Sequence, residues 1–166
     1  VKVGESNDLY VEATMENIGQ KKYNLLQAIL AVNDLYITST EIILSLFKED
    51  VENFFRQKDI IYLRDIKLTG KSGFDHNIDF IISATKTKPE RLIRTLNNPK
   101  KDSILTSIMA FNDIHSTRDQ NANNIIIYND VINPPTPEVT TAMKMYQIID
   151  IPWSNREQFI PRLSIN

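Results

Sequence analysis

The residues from Ser72 to Ser83 alternate in polarity, and this alternation limits the folds open to the chain more than any other feature. Successive side chains of a strand point to opposite faces of a sheet. One face takes Phe74, His76, Ile78, Phe80 and Ile82, and the other takes Asp75, Asn77, Asp79, Ile81 and Ser83. The stretch therefore predicts a half-buried strand with one apolar face and one face that begins with acids and an amide.

The hydrophobic pattern changes its period on either side of this strand. Apolar residues recur at helical spacing before it, and segments typical of strands and helices alternate after it. The predicted elements are helices at residues 18–36 and 41–56, strands at 59–68, 74–84 and 91–96, a helix at 98–115, a strand at 124–128, a helix at 136–146, a strand at 147–151 and a helix from 154. A short helix is the alternative for residues 91–96.

These elements indicate the fold class and the domain limits. Ser39 or Thr40 is the expected cap of the second helix, and Ser154 with Glu157 has the spacing of a capping box. Helices, a cluster of strands and then alternating elements predict a three-layer α/β domain with a central mixed sheet. We expect this domain to span residues 17–166, and residues 1–16 to be the tail of a missing upstream segment.

Composition excludes several kinds of chemistry. The 166 residues include no cysteine, which rules out disulfides, zinc–thiolate sites and thiol nucleophiles. The net charge of −2 argues against a broad nonspecific coat for nucleic acid but leaves room for a local basic patch. No apolar run approaches the roughly 20 residues that a membrane-spanning helix needs, and no signal peptide is evident, so we expect a cytoplasmic protein without membrane contact.

The acidic face suggests metal-dependent cleavage of phosphodiesters, in which carboxylates hold Mg²⁺ and a lysine stabilises charge. Asp75 and Asp79 are the candidate metal ligands and catalytic acids, and Lys67 is the candidate catalytic lysine. Lys67 belongs to the single acid-x-lysine triplet of the chain, which begins at Asp65. The alternative is an acidic strand that serves only folding. We expect no cofactor, or Mg²⁺ if the chain is an active nuclease.

Two histidines and one loop motif are weaker candidates for a catalytic or binding role. His76 falls on the apolar face of the strand, where a hydrogen-bonded histidine near the core is the expected role. His115 closes a helix, where a cation suits the dipole. The run from Thr69 to Ser72 is similar to part of a phosphate-binding loop, but Asp65 stands where that motif needs its first glycine.

Basic residues form a candidate surface for nucleic acid. They are Lys71, Lys86, Lys88, Arg91, Arg94, Lys100 and Lys101. A continuous basic stripe of this size would contact phosphates and make binding sensitive to salt. The alternative is an ordinary solvated face.

Several segments together resemble the bacterial domain-of-unknown-function family 1829. They are residues 20–34, residues 68–76, Pro89 to Arg91, Asn97 to Pro99, and Trp153 with Ser154. The resemblance implies a missing N-terminal domain of family 1828, which usually precedes members of this family. It implies no activity, because the family has none established.

The element order is also similar to the restriction-endonuclease-like PD-(D/E)XK core, here preceded by two helices. That resemblance implies that Asp79 is the first-motif acid and that residues 91–96 should carry the (D/E)XK element, which they lack. Our leading hypothesis is a bacterial or mobile-element protein with a catalytically degenerate nuclease-like domain that binds nucleic acid or a protein partner. The alternatives are an active Mg²⁺-dependent nuclease and a protein-interaction module in phage–host conflict.

Overall fold

The computed structural model describes residues 1–4, 8–118 and 121–164, with the backbone alone for residues 37–45. The chain divides into two compact units, Val1–Ile43 and Leu44–Asn166. The domain limit predicted between residues 16 and 17 stays a prediction. In its described part, no helix combines the length and the apolar character needed to cross a membrane.

The first unit contains a short hairpin and the beginning of a long helix. Strands β1, Lys2–Val3, and β2, Leu9–Tyr10, pair antiparallel. Helix α1 is one continuous helix, Ile18–Gln57, and it runs on into the second unit. The prediction of two helices was therefore wrong. Ser39 and Thr40 do not end a helix, because no glycine or proline stands between residues 20 and 57 to interrupt the backbone hydrogen bonds.

The second unit is built on a five-stranded mixed sheet, as predicted. Its elements are β3, Leu63–Thr69; β4, Asp75–Ile82; β5, Arg91–Leu96; α2, Lys101–His115; β6, Asn123–Tyr128; α3, Pro137–Met145; β7, Ile149–Pro152; a 3₁₀ helix, Trp153–Phe159; and α4, Ile160–Leu163. The strand order is β3-β4-β5-β6-β7, antiparallel from β3 to β5 and parallel from β5 to β7. Residues 91–96 thus form a strand and not a helix.

Two hydrophobic clusters contain the buried side chains of the sheet. One cluster joins β4, β5 and β6 to α2 and α3, and it includes Ile78, Phe111 and Met143. The other joins the same strands to the end of α1, and it includes Phe55 and Phe80. Each such side chain stabilises the fold by about 1.5–3 kcal/mol relative to an exposed one. The sheet is therefore held to different helices through each cluster.

Some element ends differ from the prediction. Ser154 does not form a capping box with Glu157. Its backbone N–H and its hydroxyl donate to the carboxylate of Asp130, and a 3₁₀ helix replaces the expected α-helix. Helix α2 begins at Lys101 with Lys100 as its cap residue, two residues later than the predicted start at Pro99 with Asn98 as the cap. Pro137 opens α3 as expected, because its fixed φ suits the first helical position.

Candidate functional site: the Asp79 cluster

Asp79 of β4 is the centre of a small charged cluster. Its Oδ1 lies 3.1 Å from the Nζ of Lys48 on α1. Its Oδ2 accepts hydrogen bonds from the backbone N–H of Thr95, at 2.7 Å, and from the Thr95 hydroxyl, at 3.0 Å. Both carboxylate oxygens are thus engaged with donors from a helix and from the neighbouring strand.

Lys48 connects Asp79 to a second acid, Asp65 of β3. The Lys48 ammonium makes an ion pair with each carboxylate, and its side chain is 17% exposed. The hydrogen bond from Lys48 is the main cause that holds the pKa of Asp65 below its ordinary value. Arg94 of β5 is half-buried. Burial lowers its pKa, and the charge of Asp79 opposes part of that shift.

The backbone at Asp65 explains why these groups meet. Asp65 has φ 55°, in the left-handed region that side chains other than glycine and a few short polar ones rarely adopt. It stands opposite Asp79, between the register pairs Arg64–Phe80 and Ile66–Ile78. Both strands lose their regular alternation at this level.

The loss of alternation corrects the prediction for β4. Ile78 packs in the cluster with α2, whereas Phe80 and Ile82 pack in the cluster with α1. The expectation that Ile78 and Phe80 share one face was therefore wrong. The physical reason is Asp65 on the neighbouring strand, whose backbone is left-handed. A pattern of alternating residues within β4 cannot predict such a residue on another strand.

A third acid, Glu52 of α1, adjoins this cluster and is 6% exposed. It accepts hydrogen bonds from Tyr62 Oη and Arg56 Nη2, each at 2.8 Å, and pairs with Arg64. Burial alone would raise the pKa of Glu52, but Tyr62 and the two arginines together hold it below its ordinary value. Glu52 is therefore an anion satisfied by its own neighbours.

The other predicted catalytic residues lie apart from Asp79. Asp75 is four residues away along β4, about 13 Å in an extended strand. Its Oδ1 accepts a hydrogen bond from the Thr69 hydroxyl at 2.7 Å. Lys67 is exposed and stands in register with Asn77. The lysine beside Asp79 is Lys48, which the sequence did not single out because it is 31 positions away in the chain and on a helix.

The predicted basic residues do not form one continuous group around β5. Lys86 and Lys88 lie in the loop before β5, and Lys100 and Lys101 follow its end. The six residues of β5 span about 20 Å between these pairs. Arg91 is 1% exposed and Arg94 is half-buried. Their contact with nucleic acid stays a prediction.

The turn between β3 and β4 is tied to α2 through Asp113, a residue that the sequence did not single out. The Asp113 carboxylate accepts hydrogen bonds from the Ser72 backbone N–H, at 2.9 Å, and the Ser72 hydroxyl, at 2.6 Å. It also lies 2.7 Å from His76 Nε2. The Ser72 hydroxyl is the main cause, and His76 the next, that lowers the pKa of Asp113 to about 2.

This contact explains the glycine of the turn. A Cβ on Gly70 would lie 1.9 Å from Asp113 Oδ2, so only glycine fits beside that carboxylate. A separate hydrogen bond fixes the backbone of Lys71, whose N–H donates to the Asp113 backbone carbonyl oxygen at 3.1 Å. The segment from Thr69 to His76 is therefore held against α2 by hydrogen bonds to Asp113. His76 is hydrogen-bonded near the core, as expected.

The contacts of Asp79 compete with Mg²⁺ binding. A metal-binding carboxylate must offer free oxygen lone pairs, and Mg²⁺ selects oxygen ligands. Here two Thr95 donors and the Lys48 ammonium take three of the roughly four lone-pair sites of the Asp79 carboxylate. No group of three or more His, Asp or Glu side chains within the described ranges is arranged to hold a metal ion.

Comparison with known proteins identifies a family. The model of the domain of unknown function DUF1829 matches residues 70–156, just over half of the chain. The match includes Asp79, Thr95 and Asp113, whereas Lys48 and Asp65 precede it. No curated protein and no solved structure matches the chain significantly. Because the family model covers more than half of its length, this protein belongs to the DUF1829 family.

Proposed function

We propose that this chain is a catalytically degenerate, nuclease-like domain that acts by binding a protein partner. The observation that carries the proposal is the engagement of both Asp79 oxygens by Lys48 and Thr95. In an Mg²⁺-dependent nuclease the acid at this position holds the metal beside the scissile phosphate. In this chain the same acid serves to join α1 to β4 and β5.

The order of elements supports the nuclease-like frame. A helix, three antiparallel strands, a second helix and a parallel strand follow one another as α1, β3 to β5, α2 and β6, the order of a PD-(D/E)XK core. The (D/E)XK element would fall on β5, where the chain has Ile93, Arg94 and Thr95. Neither an acid nor a lysine stands there. The frame is therefore proposed without its cleavage chemistry.

The part of α1 in the first unit supports a protein partner. Seven large apolar side chains there are between 47% and 71% exposed: Tyr23, Leu26, Ile29, Leu30, Val32, Leu35 and Tyr36. Large apolar surface exposed along one segment marks interaction sites in proteins. Nucleic acid is the less favoured partner, because Arg91 and Arg94 are not exposed and the lysine pairs stand at opposite ends of β5.

The spacing along α1 favours a second copy of the chain as that partner. Leu25, Ile29, Val32 and Tyr36 recur at intervals of four, three and four residues, the spacing of a two-helix coiled coil. Gln27 and Asp34, which occupy the position opposite this seam, are polar. We propose that two copies pair through this segment of α1.

One set of purified proteins tests both halves of the proposal. The chain and an Asp79→Asn variant are incubated with DNA and RNA in Mg²⁺ or Mn²⁺, and their masses are measured by light scattering. We expect no cleavage by either protein and a dimer in both. Cleavage that Asp79→Asn abolishes would overturn the degenerate-nuclease assignment.

Charge on the seam tests the pairing separately. Ile29→Glu places a carboxylate on the seam, and Gln27→Glu places one on the opposite side of the same helix turn as a matched control. We expect monomers for Ile29→Glu and dimers for Gln27→Glu. The proposal of a protein partner would be wrong if the parent chain were monomeric and slowed the migration of DNA in a gel. Loss of this effect in Lys100→Glu/Lys101→Glu would identify nucleic acid as the partner instead.

A further inference from the structure

The outer surfaces of α2 and α3 carry a group of exposed apolar side chains. On these helices and in the segments that flank α3, six large apolar side chains are between 40% and 77% exposed: Leu105, Met109, Val131, Ile132, Met145 and Tyr146. The opposite sides of both helices are buried in the cluster that includes Phe111 and Met143. Single exposed apolar residues are ordinary, but a group of them marks an interaction surface. These six side chains lie outside the core and offer apolar surface to a partner.

The two helices run side by side in the same direction. Helix α2 connects β5 to β6, α3 connects β6 to β7, and these three strands are parallel. Residues four apart lie on the same side of a helix, so Met109 continues the line of Leu105 along α2. Tyr146, the cap residue at the end of α3, continues the line of Ala142 in the same way. Each helix therefore presents apolar surface along two successive turns.

Two adjoining cavities form a groove between these helices. The smaller, of about 90 Å³, is lined by Lys101, Ile104, Leu105, Glu138, Val139 and Ala142. The larger, of about 390 Å³, shares Lys101, Glu138 and Val139 with it and extends past Lys100 to Ile132. The smaller cavity is several times larger than one water molecule needs, and its mainly apolar wall suits an aliphatic side chain better than water. We call the two cavities, together with Met109 and Tyr146, the α2–α3 groove.

One end of the groove is positively charged. Lys100 and Lys101, at the start of α2, are exposed, and neither forms an ion pair with another residue that the structure describes. Glu138 is the one acid among the described residues that line the two cavities. Two lysines and one carboxylate leave this end with a net positive charge, which attracts an acidic partner and repels a basic one.

We propose that the α2–α3 groove binds an amphipathic helix of another protein, with an acidic residue of that helix beside Lys100 and Lys101. A helix fits the shape, because a third helix packs between two others at interaxial distances of about 8–10 Å. Its apolar residues, three or four apart, contact Leu105, Met109 and Tyr146, and one of them enters the cavity beside Ala142. The groove shares no residue with the Asp79 cluster or with the segment of α1 in the first unit, so this proposal does not depend on the proposed function.

A synthetic acidic peptide is the probe. It has about 16 residues, with leucines at helical spacing on one side and glutamates in its first and last turns, so that a carboxylate reaches the lysines in either orientation. Its binding to the whole chain is measured by fluorescence anisotropy at low salt, and the comparison peptide carries lysines in place of the glutamates. We expect saturable binding of the acidic peptide and binding of the basic peptide that is several times weaker. Equal binding of the two peptides, or no binding of the acidic peptide at millimolar concentration, would overturn the proposal.

Substitutions locate the site. Leu105→Ser removes an exposed apolar side chain from the groove and leaves the core intact, and loss of its contact should weaken binding of the acidic peptide about tenfold. Leu63→Ser makes the same change at a leucine of β3 that is 54% exposed and outside the groove, and it should leave binding unchanged. Lys100→Gln/Lys101→Gln should bring the affinities of the two peptides closer together. Equal effects of Leu105→Ser and Leu63→Ser would show that the peptide does not bind in the groove.

Two further results would assign the binding differently. The segment of α1 in the first unit is also apolar, so the measurement is repeated on Ile29→Glu, which should bind the acidic peptide with the affinity of the parent chain. Loss of peptide binding in Ile29→Glu would place the peptide on α1 and overturn the proposal. A dimer of Ile29→Glu that Leu105→Ser converts to a monomer would show that a second copy of the chain occupies the groove, and it would overturn the assignment to another protein.

Discussion

Replacing Lys48 with methionine should destabilise the second unit by about 2 kcal/mol, through loss of a largely buried ion pair. At 3.1 Å and an effective dielectric constant of about 20, the attraction of Lys48 to Asp79 is about 5 kcal/mol. Desolvation of the two ions removes more than half of this gain. Their side chains are 17% and 22% exposed, so the remaining interaction is only partly screened by solvent.

Urea unfolding followed by tryptophan fluorescence measures this loss. Trp153 is the one tryptophan of the chain, and its ring centroid lies 5.5 Å from that of Phe47 and 5.8 Å from that of Phe54. Its emission therefore reports the packing of α1 in the second unit. With a slope of about 2 kcal/mol per molar urea, the midpoint should fall by about 1 M in Lys48→Met.

Lys58→Met is the matched control. Lys58 follows α1 and pairs with Glu157 at 2.9 Å, but the two side chains are 33% and 57% exposed, so its loss should cost less than about 1 kcal/mol. Adding Asp79→Asn to Lys48→Met should recover part of the loss, because it removes a carboxylate left without its cation. The reasoning fails if Lys48→Met costs no more than Lys58→Met, or if the two changes at Lys48 and Asp79 are additive.

Two further predictions concern the turn between β3 and β4. Gly70→Ala should lower the free energy of unfolding by about 1–3 kcal/mol, since the new methyl meets Asp113, and urea titration measures this loss. The substitution should cost much less in an Asp113→Ala background, and equal costs would show that Asp113 is not the obstacle. Because the pKa of Asp113 is about 2 in the fold and 3.8 ordinarily, its contribution is complete above about pH 5 and is lost as pH falls towards 2. Urea titrations should therefore show that the parent chain loses more stability than Asp113→Asn between about pH 5 and pH 2.5. An equal loss of stability in the two proteins would contradict the hydrogen bonds to the Asp113 carboxylate.

Local sequence signals predicted most of the sheet. The pattern of β4, the apolar run of β6 and the proline that opens α3 each depend on a few neighbouring residues, so the sequence predicted where these elements lie. It did not predict the faces of β4 correctly, because these depend on Asp65 of the neighbouring strand. The continuity of α1 was missed, because Ser39 and Thr40 favour a cap as readily as they tolerate a helix interior. The capping box predicted at Ser154 does not form, because the backbone N–H and the hydroxyl of Ser154 donate to a distant acid, Asp130.

The partners of the site residues depend on tertiary packing and not on neighbours in the sequence. Asp79 was found by its place on a strand, but Lys48 reaches it from a helix that is distant in sequence. Asp113 became the partner of His76 and Ser72 in the same way, through the packing of α2 against the β3–β4 turn. The sequence therefore determined the mixed α/β fold, the family and the position of the acidic strand, since period and residue type specify these locally. Only the tertiary structure decided that the Asp79 carboxylate pairs with Lys48 and that Asp113 bonds to Ser72 and His76, because both depend on which distant side chains packing brings within a few ångströms.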